Sequence, residues 1–370
     1  MLENWLRPVE SDKIIPRSDL SAHHWGKTIN IHEGIMPELK NTRLALIGID
    51  ADAANTVRKQ LYQLTTPSST LKTADLGNLI KVHPESLIPV LQECLEGGII
   101  PVIIGSHQAF SYAQYKAYSY RDQLVNLAIF NERIAYTCEK KKKQKDFFFL
   151  NKIIEDKQSF MFHLSLLGYQ SHFCDPKAIN TLNNLNHELA RLGAIKSNAE
   201  EVEPIIRDAD LLSFDLSVLK HADAPGVMLP SPSGIFSEEA CQVAHFAGLS
   251  DKLTSFGLYG FHPALDHADQ TAKVMAQMIW YFAEGVANRP KDIPARSSKF
   301  VKYVVDLKQS DYSLVFWKSK KSERWWLQIP DVNRKKQVRH RLIPCSFNDY
   351  KLACTEEIPD RLLNAYKRFD

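Results

Sequence analysis

Short runs of apolar residues recur along the first 290 residues of the chain, and each run ends at a turn residue or a polar side chain. These runs are RLALIGID (43–50), GGIIPVIIGSH (97–107), LVNLAIFN (124–131), SFMFHLSLLG (159–168), ADLLSFDLS (209–217) and LTSFGLYGF (253–261). The apolar residues are continuous rather than alternating with polar ones. This pattern predicts strands that are buried on both faces of a sheet.

Segments with helical periodicity separate these runs. They are PESLIPVLQECLEGG (84–98), INTLNNLNHELARLG (179–193) and DQTAKVMAQMIWYFAEGV (269–286). The first begins at Pro84 and ends at Gly97 and Gly98, which are residues typical of a helix start and a helix end. Strands that alternate with helices predict an α/β protein with a doubly wound, mostly parallel sheet.

The last part of the chain differs in composition from the rest. Residues 287–298, ANRPKDIPARSS, contain two prolines and no periodicity, and we interpret them as a linker. The net charge of the chain is 46 − 43 = +3, whereas residues 301–370 alone carry 15 − 9 = +6. The sequence therefore predicts a main domain over 1–290 and a small, basic, β-rich appendage over 299–370 that ends in a short helix, PDRLLNAYKRF.

The overall composition excludes several classes of protein. With 44% hydrophobic and 24% charged residues, the chain is an ordinary globular protein rather than a disordered or collagen-like one. No apolar stretch approaches the roughly 20 residues that span a bilayer, and the N-terminus does not have the pattern of a signal peptide. The six cysteines are scattered without a CxxC pair. We therefore expect reduced thiols, no membrane partner and a cytoplasmic location.

Polar side chains stand where three of the predicted strands end. His107 directly follows the second run and Asn131 closes the third. In SFDLSVLKHADAPG (213–226), Ser213, Asp215 and Ser217 alternate along one strand, which places them on the same face. Because function in doubly wound sheets lies at the carboxyl ends of the strands, we expect these residues at a functional cleft.

These strand ends resemble the metal motifs of the ureohydrolases, the family of arginase, agmatinase and formimidoylglutamase. The family motifs read GGDHS, DAHxD and SxDxDxxDPxxxPG. The resemblance covers roughly residues 30–290 and includes LIGID, NTVRKQLY, ADLGNL and SPSGIFSEEA, while FHLSLLGYQSHF (162–173) is especially similar to formimidoylglutamase. It implies an arginase-like fold with three layers, α-β-α.

The resemblance also implies a reaction and a metal site. In active members, six side chains hold two Mn²⁺ ions, which activate a water for attack on a guanidinium or formimino carbon. By position, His107 and Asp215 retain the family's ligands. Asn131, Arg133 and Ala135 stand where the second motif has Asp, His and Asp. In the third motif Ser217 replaces an aspartate.

Four of the six metal ligands implied by the resemblance are therefore replaced. The replacements remove most of the negative charge that would hold two cations. We expect the guanidinium of Arg133 to occupy a cation position and to pair with Asp215 in a polar network that includes His107. The substrate side departs from the family as well, because Gly260 stands at the position of a family glutamate.

Alternative interpretations of these residues stay open. His107 and Asp215 are the candidate metal ligands, with Mn as the cofactor if the site still functions and no cofactor otherwise. Asp215 is more simply a buried acid with a structural partner, and catalysis is the alternative for it. A different metal site would recruit residues of the cleft loops, where Lys220 and His221 replace a family Asp-Pro pair. The loop candidates are Lys220, His221, Asp223, His262 and His267.

Two basic features invite a nucleic-acid interpretation. The run Lys140–Lys145 is more simply a solvated surface loop. Trp317, Trp325 and Trp326 lie in a basic segment and could stack on bases, but we expect them to form a small core in a hairpin. Binding to nucleic acid is therefore not favoured.

The sequence leads to two hypotheses about function. The first is a ureohydrolase-fold protein without the di-manganese site that acts as a non-catalytic binding or assembly protein. The alternative is an arginase-like or formimidoylglutamase-like hydrolase of a linear amidine C–N bond with a divergent metal site. The resemblance further implies a homo-oligomer and a small guanidinium or formimino ligand.

Overall fold

The main sheet of the protein lies between two layers of helices. The computed structural model describes residues 2–10, 13–121, 123–142, 145–292, 299–307, 313–329 and 342–369. In these residues the main sheet contains ten strands: β1 Leu6–Arg7, β2 Asn30–Ile31, β3 Leu44–Gly48, β4 Thr73–Leu79, β5 Ile100–Ile104, β6 Val125–Phe130, β7 Met161–Tyr169, β8 Glu188–Arg191, β9 Leu211–Asp215 and β10 Ser255–Tyr259.

The strand order shows a doubly wound topology. The order is β1-β4-β3-β5-β10-β9-β6-β7-β8, with β2 also paired to β4. The β1–β4 pair is antiparallel, and the other described pairs of this sheet are parallel. Each of the six predicted apolar runs overlaps one of these strands, and only β7 extends past its run, by one residue. The predicted α/β class with a mostly parallel sheet is therefore confirmed.

The helices of the main domain cover both faces of the sheet. They are α1 Trp25–Thr28, α2 Ala51–Leu61, α3 Pro84–Glu96, α4 Ser111–Lys116, α5 Phe149–Ile154, α6 Pro176–Asn184, α7 Leu192–Ser197, α8 Val202–Asp208, α9 Ser237–Leu249 and α10 Gln270–Ala287. Along β3, Leu44 and Leu46 enter one apolar core and Ala45 and Ile47 enter the other. This two-sided burial explains why the strand sequence is apolar without alternation. No helix of the described ranges has the length and apolar character needed to cross a bilayer.

One predicted helix was wrong in part. The segment 179–193 was predicted as a single helix, but α6 ends at Asn184 and β8 follows it. Asn186 between them has a left-handed backbone with φ of 59°, a conformation that asparagine tolerates better than most residues. Residues 188–191 then pair in parallel with β7 and form the edge of the sheet. The free energy gained from these backbone hydrogen bonds outweighs the helical preference of the local sequence.

Strand β4 was not predicted, because its sequence TADLGNL is polar although every residue in it is buried. Its Asp75 accepts hydrogen bonds from Arg58 of α2, from Nε at 2.7 Å and from Nη2 at 2.8 Å. Arg58 also donates to the side chains of Asn55 and Asn78. The two segments NTVRKQLY and ADLGNL, which carry part of the family resemblance, therefore bind each other inside the protein.

The C-terminal residues form a separate four-stranded antiparallel sheet, as predicted for the appendage. Its strands are β11 Phe300–Asp306, β12 Ser313–Ser319, β13 Trp325–Gln328 and β14 Leu342–Cys345, in that order, followed by α11 Phe347–Cys354 and α12 Asp360–Phe369. Trp325 and Trp326 are buried, and Trp325 belongs to the small apolar core that was expected. Of the predicted linker, residues 293–298 lie outside the described residues.

Buried charges join this small sheet to the main domain. Arg207 of α8 donates to the backbone oxygens of Trp325 and Cys345 at 3.1 and 3.2 Å, and its guanidinium lies 4.5 Å from the ring centre of Trp326. Arg361 of α12 pairs with Glu201 at 2.7 Å. The two parts of the chain are thus held together by charge-assisted hydrogen bonds in a largely buried interface.

Candidate functional site

The predicted site residues converge at the carboxyl edge of the central strands. His107 follows β5, Asn131 follows β6, Asp215 ends β9 and Gly260 follows β10, and these four strands are neighbours in the sheet. Together they line a cleft with a volume of about 430 Å³. The rule that doubly wound sheets bind ligands at this edge therefore located the cleft correctly.

Asp215 is one of the residues that line the cleft. Its Oδ1 accepts a hydrogen bond from the backbone nitrogen of Ser217 at 2.9 Å. Burial raises the pKa of Asp215 above its usual value, and the hydrogen bonds from Ser217 together with the charge of His107 offset this only in part. A carboxylate in this position gains free energy from any cation that reaches it.

Two histidines that line the cleft contact each other. The rings of His107 and His262 stand edge to face with their centres 5.8 Å apart. Burial lowers the pKa of His262, and the neighbouring His107 lowers it further, while Asp50 acts in the opposite direction. The neutral form of His262 is thereby favoured. Its backbone nitrogen donates to the backbone oxygen of Gly226.

Gly260, which was predicted to stand at the position of a family glutamate, has a backbone conformation that favours glycine. Its φ is +88°, in the left-handed region. A Cβ atom added there would lie 2.9 Å from Oδ1 of Asp215. A side chain at position 260 therefore conflicts with the observed position of the Asp215 carboxylate.

The expected pairing of Arg133 with Asp215 is wrong. Arg133 donates from Nε to Oε1 of Glu132 at 3.1 Å, and its guanidinium lies 4.4 Å from the ring centre of Phe173. The arginine follows β6 in a turn that directs its side chain toward Phe173. The local ion pair and the aromatic contact hold it there.

Asn131 is occupied by structural hydrogen bonds. Its Nδ2 donates to Oε1 of Gln108 at 2.6 Å, and its Oδ1 accepts from the backbone nitrogen of Arg133 at 2.6 Å. Ala135 is 2% exposed and belongs to an apolar core cluster. Ser217 is also among the residues that line the cleft. Its hydroxyl accepts a long hydrogen bond from the backbone nitrogen of Glu132 at 3.5 Å.

Glu132 is the functional candidate that the sequence analysis missed. Only 1% of this residue is exposed, and its Oε2 has no hydrogen-bond partner among the residues that the structure describes. Burial raises the pKa of Glu132, Arg133 opposes that change, and the negative charge of Asp215 adds to it. In the predicted correspondence with the DAHxD motif, Glu132 stands at the position of the alanine. An acidic residue at this position next to a strand end was a signal in the sequence.

The candidates in the loop after β9 have other roles. Lys220, His221 and Asp223 are not among the described residues that line the cleft. Lys220 lies with its Nζ 3.8 Å from the ring centre of Phe236, and Asp223 accepts from the backbone nitrogen of Ser237 at the start of α9. Only His262 of this set lines the cleft.

The residues at the six family positions do not fit a pair of manganese ions. His107 and Asp215 offer suitable donors, but the Asn131 oxygen is already occupied by a backbone N–H, and Ala135 has no donor and lies in the core. Arg133 brings a positive charge. In the described ranges, no group of three or more His, Cys, Asp or Glu side chains is arranged to hold a metal ion.

Comparisons with known proteins agree with the fold. The model of the arginase family matches residues 148–284. Formimidoylglutamases are among the curated relatives. That of Staphylococcus haemolyticus is 31% identical over a stretch that covers 22% of this chain and 27% of the relative. That of Aromatoleum aromaticum is 33% identical over a stretch that covers 22% of this chain and 24% of the relative. The sequence resemblance to the ureohydrolases, close to formimidoylglutamase, is confirmed.

The matched stretch is nevertheless short, since the chain spans only about a quarter of the length of these curated relatives. Solved ureohydrolase structures match over a longer region. The match to formiminoglutamase of Trypanosoma cruzi, solved with Mn²⁺, covers 68% of this chain and 96% of that protein, with 17% identity and a TM-score of 0.63. Formimidoylglutamase of Bacillus subtilis covers 78% and 98% at 17% identity and a TM-score of 0.64. These similarities establish the arginase-like fold.

Proposed function

We propose that this ureohydrolase-fold protein lacks the di-manganese site and acts as a non-catalytic binding or assembly protein. The observation that carries the proposal is the state of the second motif. Its first residue, Asn131, has its oxygen occupied by the backbone nitrogen of Arg133, and its last residue, Ala135, lies in the core. A pair of divalent ions needs several free carboxylates close together.

The cleft itself persists, which supports a binding role. It has a volume of about 430 Å³, in the range of pockets for small ligands, and two acidic residues, Asp215 and Glu132, line it. We infer that the ligand is small and carries a cationic group, such as a guanidinium or formimino group. As further parts of this proposal, the protein is cytoplasmic and assembles with copies of itself.

The competing function is a metal-dependent hydrolase of linear amidine C–N bonds. Two observations favour it. The chain is similar to curated formimidoylglutamases and to a formiminoglutamase solved with Mn²⁺. It also retains His107 and Asp215, which are possible metal ligands. This function requires either a single metal ion at these two residues or a site that rearranges when the metal binds.

Metal content and hydrolysis separate the two functions. The protein is expressed with added Mn²⁺ and dialysed, and its metal is counted by mass spectrometry. Release of urea, formamide and ammonia from arginine, agmatine and formimidoylglutamate is then measured, with formimidoylglutamase of Bacillus subtilis in parallel. We expect well below one manganese ion per chain and no turnover. Roughly two ions per chain that disappear in an Asp215→Asn variant, together with turnover, would refute the proposal.

A further inference from the structure

The two edges of the small C-terminal sheet are protected differently. At one edge, β14 contains Pro344, and Arg207 of α8 donates to the backbone oxygen of Cys345. Proline and a covering side chain are devices that keep an edge strand from pairing with another chain. At the other edge, β11 contains no proline, and among the described residues β12 is its one partner strand. The edge formed by β11 is thus a template for a further strand.

The length of β11 sets it apart from the edge strands of the main sheet. Those strands, β1 and β8, have two and four residues, whereas β11 has seven and pairs with β12 in one unbroken register. Edge strands are commonly short or carry a charge that prevents pairing. The one lysine of β11, Lys302, is accompanied by an acid of the same strand, Asp306. The charge of Lys302 therefore does not protect this edge against a second copy of the strand.

The register of β11 and β12 shows which backbone groups face the open edge. The backbone nitrogen of Lys320 donates to the backbone oxygen of Lys299 at 2.9 Å, so these two residues form a hydrogen-bonded pair. Hydrogen-bonded and non-hydrogen-bonded pairs alternate along an antiparallel ladder. The odd-numbered residues of Val301–Val305 therefore bond to β12. The even-numbered residues of Phe300–Asp306 direct their N–H and C=O groups to the open edge.

The side chains of these even-numbered residues make the edge self-complementary. Lys302 and Asp306 are exposed, and Val304 between them is 52% exposed. When two copies of β11 pair antiparallel about a two-fold axis at Val304, Lys302 of each copy lies opposite Asp306 of the other. An axis at Lys302 would instead place the two lysines opposite each other, and an axis at Tyr303 would lose both ion pairs. Charge therefore selects the register centred on Val304.

The position of the main domain is compatible with this pairing. The main domain contacts the end of the small sheet at the turn between β12 and β13, where Arg324 donates to the backbone oxygen of Leu249 at 3.2 Å. At this same end β11 begins, with Phe300 opposite Ser319, whereas Asp306 lies at the other end of the strand. In an antiparallel pair of β11 strands, the two main domains therefore lie on opposite sides of the two-fold axis.

We propose that the protein forms a two-fold symmetric dimer in which β11 of one copy pairs antiparallel with β11 of the other. The two small sheets then form one continuous sheet, with about six new backbone hydrogen bonds between the two 302–306 segments. Two ion pairs between Lys302 and Asp306 flank a contact between the two Val304 side chains. The inference rests on the part of the proposed function in which the protein assembles with copies of itself, and it names the surface.

Sedimentation velocity of the full chain across a dilution series tests the proposal, and we expect a dimer that dissociates on dilution. Val304→Pro removes the N–H at the centre of the contact and no bond to β12, because proline is tolerated where the N–H of an edge strand faces outward. It should weaken dimerisation about 30-fold to 100-fold. The matched control Val304→Thr keeps the N–H and a β-branched side chain, so it should dimerise like the unsubstituted protein.

Exchange of charges tests the register. Lys302→Asp and Asp306→Lys should each weaken dimerisation about 10-fold, because each substitution places like charges opposite one another at two positions of the symmetric contact. An equimolar mixture of the two variants should recover the dimer, since opposite charges then face each other in both pairs. Lys351→Asp, which makes the same change of net charge at an exposed residue of α11, should have no effect.

Three results would overturn the proposal. The first is a chain that stays monomeric at every concentration, and the second is an oligomer whose dissociation is unchanged by a folded Val304→Pro protein. The third is a mixture of the two charge variants that associates no better than either alone. Tryptophan fluorescence verifies folding, and the charge variants decide the question if Val304→Pro does not fold. Manganese content and turnover test the proposed function separately, so a metal-free, inactive monomer would overturn this inference alone among the two claims of a missing metal site and a β11 dimer.

Discussion

The buried pair of Arg58 and Asp75 provides the sharpest test of how the main domain is held together. Both side chains are fully buried, and the guanidinium meets the carboxylate through two hydrogen bonds at 2.7 and 2.8 Å. Tyr62 donates a further hydrogen bond to Asp75 at 2.8 Å. We therefore expect Asp75→Asn, which keeps the size of the side chain but removes its charge, to destabilise the protein strongly.

The expected magnitude follows from what the substitution leaves behind. The guanidinium of Arg58 would remain buried without a counter-charge, which costs about 3–5 kcal/mol of unfolding free energy. Tyr62→Phe removes one hydrogen bond and should cost about 1 kcal/mol. The control is Asp52→Asn on the same helix. The Asp52 side chain is 83% exposed and pairs with Lys13 at 3.4 Å. The substitution Asp52→Asn should therefore lower the unfolding free energy by no more than about 1 kcal/mol.

Urea unfolding followed by far-UV circular dichroism measures the three variants against the unsubstituted protein. The expected order of destabilisation is Asp75→Asn, then Tyr62→Phe, then Asp52→Asn. A cost for Asp75→Asn that is as small as that of Asp52→Asn would refute the reasoning, because the buried pair would then not stabilise the contact between α2 and β4. Equal slopes of free energy against urea are required for the comparison.

Two further predictions concern the cleft and the C-terminal sheet. Gly260→Ala should lower the unfolding free energy by about 1–3 kcal/mol in the same urea assay, because position 260 has a φ of +88° and an added Cβ would contact Asp215. The control is Gly193→Ala. An added Cβ at position 193 meets nothing within 4 Å, so this variant should be neutral or stabilising. Equal effects would contradict the strain argument. Arg207→Ala leaves the backbone oxygen of Trp325 without its buried donor and should cost about 2–4 kcal/mol, with an earlier transition in tryptophan fluorescence. If the fluorescence transition of Arg207→Ala coincided with that of the unsubstituted protein, Arg207 would not hold the two parts together.

The sequence determined the class of fold because burial on both faces of a sheet leaves a local signature. Continuous apolar runs are readable without knowledge of their partners, and they located β3, β5, β6, β7, β9 and β10. Strand β4 was not readable in this way. Its Asp75 and Asn78 accept hydrogen bonds from Arg58 of α2, which lies far from them in the sequence pattern, and these bonds offset their burial.

The sequence likewise placed the candidate residues at one edge of the sheet, whereas their contacts were decided by the tertiary structure. His107 and Asp215 were placed in one cleft because the carboxyl ends of parallel strands meet at one edge. Charge alone suggested that Arg133 pairs with Asp215, but the turn after β6 directs the guanidinium to Glu132 and Phe173. The burial of Glu132 exists only in the folded chain, because desolvation depends on neighbours that the order of residues does not reveal.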